Sequence, residues 1–173
     1  MNRRIGWGLT CALSLELLAL GVWVGGLIVL IGAVIPAVFN TFGGQDSGGF
    51  LLTRTFEGYN RLVVAAISIL ILSTGYRWWI GKTAGMVGRA EIAVLAVMTV
   101  IAGSIILVLH PQAAALQAEA FALKNEPARK AALEAFFRLH MPLRSLYMVN
   151  LVLGIVLLVM KARQSLTLEG LST

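Results

Sequence analysis

Four stretches of this chain each run for about 20 residues or more with almost no formal charge, and nothing else limits the fold so strongly. They lie at about 9–39, 62–80, 90–109 and 141–160. A helix rises ~1.5 Å per residue, so about 20 apolar residues cross the ~30 Å hydrocarbon core of a bilayer. Strands of a transmembrane barrel would show short segments of alternating polarity instead, and the chain has none. The expectation is an all-α integral membrane protein, a four-transmembrane-helix bundle.

Composition supports this. Of 173 residues, 58% are hydrophobic and 13% charged. A soluble domain carries about 25% charged residues, so this chain cannot cover a globule of its size with charge. The net charge of +6 comes from 14 Lys and Arg placed mostly at the ends of the apolar runs. That placement fits membrane anchoring rather than nucleic-acid binding. The length suits a single membrane domain over 1–173.

The first run follows Arg3 and Arg4 as a signal peptide would. Glu16 interrupts its early part, and it continues to Phe39, so it reads as a retained helix. Cys11 permits no intramolecular disulfide and reads as a buried structural thiol. Gly43 to Gly49 reads as a flexible loop. The second helix should therefore start near Gly49 and end near Ile80, standing out of the bilayer by about three turns, with Arg54, Glu57 and Arg61 paired on one side. The third helix is expected over about 88–109 and the fourth over about 141–162. Between them, 111–140 is rich in helix formers and broken at Asn125-Glu126-Pro127. It reads as a helical extramembrane hairpin whose second arm meets helix 4 at Pro142, where a kink or restart is expected. The short flanks holding Arg3, Arg4, Arg77, Lys82, Arg89, Lys161 and Arg163 put the expected position of both termini on the cytoplasmic side.

Few residues offer chemistry. Glu16 is the one carboxylate well inside a run, and an intramembrane carboxylate is a candidate proton or cation site. Arg77 returns to matching depth, so a structural Glu16–Arg77 pair is the competing reading. His110 ends helix 3 and His140 precedes helix 4, on one face of the membrane. Two imidazoles there could ligate haem b or, with Met141, copper; the plainer reading has them hydrogen-bonding helix ends. Asn150, near the middle of helix 4, suits a hydrogen bond to a neighbouring helix. Gly21, Gly25, Gly26 and Gly32 mark a face of helix 1 that another helix can approach closely, from this chain or another. No catalytic or phosphate-binding motif is present.

Two segments carry a resemblance. One is Leu18-Ala19-Leu20-Gly21-Val22-Trp23-Val24-Gly25-Gly26, running on to Val34-Ile35-Pro36-Ala37-Val38-Phe39. The other is Val108-Leu109-His110-Pro111, with Phe136-Phe137-Arg138-Leu139-His140 and the helix holding Asn150. In these the chain resembles the bacterial relatives of transmembrane protein 205, an uncharacterised four-helix membrane family (domain of unknown function 4149). The resemblance implies a fold and a location, the bacterial inner membrane, but no activity. A weaker likeness runs to membrane proteins of the copper-resistance D type and to haem-linked four-helix oxidases. The latter carry a histidine seven residues before the Trp of a Trp-x-Gly, where this chain has Glu16. The function expected is that of a non-catalytic accessory or structural subunit, partnered by the lipid bilayer and by other membrane subunits or itself. The alternatives are a haem or copper protein using His110 and His140, and a small transporter or channel using Glu16.

Overall fold

The computed structural model describes residues 3–43, 46–80 and 87–170, with side chains described over 7–43, 46–80 and 87–164. Gly44 and Gln45 of the expected loop, and Lys82, lie outside the described residues. The described residues are almost wholly helical. In order they form α1 (Arg3–Val29), a π-helical turn (Leu30–Val34), α2 (Ile35–Phe42), α3 (Asp46–Ile80), α4 (Arg89–Ser104), a second π turn (Ile105–Leu109), α5 (His110–Ala122) and α6 (Glu126–Gly170). Each α–π–α succession is one long rod. Four rods are thus long and apolar enough to cross a membrane.

The two π turns have a common cause. Pro36 and Pro111 sit in the first turns of α2 and α5. A proline lacks the N–H and its ring crowds the carbonyl four residues back. Just before each proline the backbone widens to i→i+5 bonding: Ile35 donates to Leu30, and His110 donates to Ile105. Pro142 behaves differently and lies inside α6 without a break. It forfeits one backbone bond, while α5 and α1 pack against α6 and hold it. The expected restart does not occur.

The second rod starts at Asp46, earlier than the expected Gly49. Asp46 puts negative charge in the first turn, where it complements the helix dipole. Gly48 and Gly49 are helical because they are close-approach positions. A Cβ on Gly48 would lie 3.0 Å from the Phe42 Cβ, and one on Gly49 would lie 2.5 Å from the Gln117 amide nitrogen. The reversal is made at Gly43, whose φ of 57° and N–H to Phe39 carbonyl bond of 2.9 Å end α2 in the left-handed region that glycine favours.

α1 packs on α3 and α6, and α4 packs on α6. Leu20, Trp23, Leu27, Leu70, Met98, Ile105 and Leu157 fill the core between them. Tyr59 donates to the Trp23 carbonyl at 2.9 Å, and Asn150 Nδ2 lies 3.5 Å from the Met98 carbonyl. The outer surface of the bundle is itself apolar, with Leu18, Leu72, Val100 and Leu107 well exposed. Cys11 is exposed on this surface, which corrects its reading as a buried thiol. Where the surroundings are apolar, a thiol need not enter the core.

Candidate functional site

Two features lie at opposite ends of the bundle. The first is a buried charge cluster to which every rod contributes. Glu16 comes from α1, Thr74 and Arg77 from α3, Glu91 from α4, and Lys161 and Gln164 from α6. Glu16, Glu91 and Lys161 are 0% exposed and Arg77 2%. Arg77 Nη1 donates to Glu16 at 2.7 Å and to Glu91 at 3.0 Å. Lys161 Nζ donates to the same two carboxylates at 2.7 and 2.6 Å. The second oxygen of each acid is also engaged: Thr74 donates to Glu16 at 3.0 Å, and Gln164 to Glu91 at 2.8 Å. Two cations thus alternate with two anions. Such mutual compensation, with hydrogen bonds to the remaining lone pairs, is what makes buried charge tolerable.

Glu16 and Arg77 stood out in the sequence; Glu91 and Lys161 did not. Each lies near the end of an apolar run, where a lone charge reads as a solvated flank or a topology signal. The available clue was the matching of two acids and two bases at corresponding depths, on rods of alternating direction.

The second feature is a cavity of about 650 Å³ at the other end. Below it α6 packs on α1; above, α2 leans on α3, and α2 and α6 face each other across the gap. Ile35, Val38 and Phe39 form one wall, and Leu133, Phe136 and Leu143 the other. α3 and α5 close the back through Phe56 and Gln117, the latter taking a hydrogen bond from Thr53. The cap around it is self-packed, with Phe50 on Phe121 and Phe56 on Tyr147 at centroid separations of 5.0 and 5.3 Å. At the rim, Arg129 pairs with Asp46 at 3.0 Å, leaving its Nε buried without a partner.

His110 and His140 both line this cavity. His140 is exposed at its rim and stacks on Phe136 at 5.3 Å. Met141 is 67% exposed and forms no part of the wall, so the candidate copper set is not brought together. Among the described residues no three or more His, Cys, Asp or Glu gather to hold a metal ion.

The glycines of helix 1 divide. A Cβ on Gly26 would lie 3.0 Å from the Tyr59 ring, a true close approach within the chain. Gly21, Gly25 and Gly32 meet nothing within 4 Å, and Gly21 and Gly32 are exposed. Asn150 is buried beside α4, its Oδ1 without a partner.

A family described as Domain of unknown function (DUF4149) matches residues 18–122, which covers most of the first three rods. No curated protein matches the chain. No solved structure matches it either.

Proposed function

The chain belongs to the family of the domain of unknown function DUF4149, and on that footing we propose that it is a non-catalytic multi-pass membrane protein, an accessory or structural subunit of a larger membrane complex. The four apolar rods and the apolar outer surface support a bilayer location. From Arg61 to Arg77, Arg89 to His110 and Arg144 to Arg163, three rods offer roughly 24–32 Å between polar anchors, and on the first rod about 30 Å separates Trp7 from Leu27. These spans agree with one hydrocarbon slab. The short flanks with Arg3, Arg4, Arg89 and Arg163 favour termini in the cytoplasm of a bacterial inner membrane. Arg77 and Lys161 no longer count toward that orientation, because they face carboxylates.

The observation that carries the subunit reading is the open glycine face of helix 1. Gly21, Gly25 and Gly32 line up on a helix whose close packing with its own neighbours uses other residues. In lipid, small residues on an open face let a second helix approach and gain van der Waals contact. A transport role for Glu16 has less support, since both of its oxygens are held.

The test is to purify the tagged chain from native membranes in mild detergent and identify what accompanies it. Stoichiometric partner chains of another protein are expected, and a homo-oligomer alone would overturn the subunit reading. Gly25→Leu should release the partner chains while leaving the melting temperature of the isolated chain essentially unchanged. A wild-type chain that elutes as a monomer without companions sinks the reading.

The second reading, a haem b protein, is favoured by one observation: both histidines face the same cavity. It requires a Soret band in the purified chain that His110→Ala and His140→Ala each remove. A colourless preparation from haem-replete cells ends that reading.

A further inference from the structure

We infer that the cavity between α2 and α6 is a binding site for the acyl chain of an amphipathic anion, drawn from the leaflet at that end of the bundle. Such a site is independent of the subunit reading. Leu27 lies about 30 Å along the rod from Trp7, and Arg144 about 29 Å along its rod from Arg163. The cavity begins at Leu27 and Met148 and runs outward to Val38 and Asp46. Its floor therefore reaches about 6 Å to the hydrocarbon side of Arg144, and most of its lining lies in the cap beyond. An apolar space of about 650 Å³ held outside the lipid is unfavourable unless something apolar fills it.

The shape of the opening says what enters. α2 and α6 part where α1 and α6 were packed, so the gap opens sideways at the bilayer surface. Phe39 and Phe137, exposed at 55% and 59%, stand at its edges. An acyl chain can pass between them from the leaflet without crossing water.

Charge fixes the head. Arg144 lines the cavity at the headgroup plane and makes no hydrogen bond or ion pair among the described residues. It differs in this from Arg129, which is bound to Asp46. A guanidinium left unpaired beside an apolar cavity is complementary to a carboxylate or phosphate carrying a hydrocarbon tail. Free fatty acids and anionic lysolipids share that chemistry.

The experiment places the full chain in phosphatidylcholine nanodiscs and adds palmitic acid carrying a mid-chain diazirine. Irradiation and peptide mapping then locate the label. Labelling is expected on the walls given by α2 and by 133–148, and it should be competed by unlabelled palmitate. Arg144→Gln should cut labelling by the acid at least fivefold and leave the matching diazirine alcohol unaffected. Ala114→Phe, which fills the cavity from α5, should abolish both, with thermal melting used to show that the variant is folded. Competition by lysophosphatidylglycerol against palmitate tells which source is preferred. Equal labelling of Leu72 and Val100 on the outer surface, unchanged by Ala114→Phe, would mean bulk lipid only and overturn the inference. So would equal loss of acid and alcohol in Arg144→Gln, or a haem found seated in the cavity.

Discussion

Lys161→Met should lower the stability of the folded chain by about 3–5 kcal/mol, the largest effect expected of any single substitution here. The lysine bridges Glu16 and Glu91 with nothing of it exposed. Its removal leaves two buried carboxylates around one guanidinium, and the loss comes from the uncompensated charge more than from the missing bonds. Methionine has similar length and no charged or strongly polar atom, so cavity formation contributes little. The readout is thermal unfolding of the detergent-solubilised chain followed by size-exclusion. Adding Glu91→Gln to Lys161→Met should recover more than half of the loss. That double variant returns the cluster to one anion and one cation, and the amide oxygen of the introduced glutamine can still accept from Gln164. If Lys161→Met melts with the wild type, the cluster is hydrated and its burial is misjudged.

Gly154→Leu should cost about 1–3 kcal/mol through overpacking. This glycine lies on α6 where α1 and α4 converge. A Cβ there would come 2.6 Å from Val24 Cγ2 and 3.3 Å from Met98 Cε. Both neighbours are buried, and Met98 is completely so, which leaves little room for the extra atoms to be absorbed. Gly21→Leu is the natural control, since a Cβ there meets nothing within 4 Å and the change should leave unfolding of the isolated chain unchanged. Equal melting of the two variants would show that α6 does not approach α1 as closely as described.

That contrast also shows where a sequence is silent. The glycines of helix 1 attracted notice because they recur at helical spacing, yet only Gly26 among them is needed for packing within the chain. Gly154 stands alone in helix 4 and carries no pattern, although its close contact is the tighter one. Periodicity reports which residues share a face, not what lies opposite that face.

The long apolar runs were readable because hydrocarbon thickness sets a length and a composition together. The run Gly43 to Gly49 was misread in part because glycine serves two purposes, permitting a turn at Gly43 and permitting contact at Gly48 and Gly49. The charge cluster was half legible. Glu16 lay deep enough in a run to demand a partner, but Glu91 and Lys161 lay where a charge normally meets water. The cavity left only a partial trace in the sequence: His110 and His140, which line it, stood out, but its apolar walls come from segments far apart in the chain.

The paired π turns bear on how such a molecule tolerates change. Each begins about 14 residues, or roughly 21 Å, from the charge cluster, at Leu30 counted from Glu16 and at Ile105 counted from Glu91. A π turn accommodates one residue more than an α-turn, so the side chains beyond it are shifted by about 100° relative to an uninterrupted helix. Two of the four rods are thus phase-shifted at a common level. The portion below keeps one angular setting and the portion above another, as with two sections of a shaft keyed at a coupling. Substitutions above the coupling can remodel what the cap encloses without turning any buried charge away from its partners.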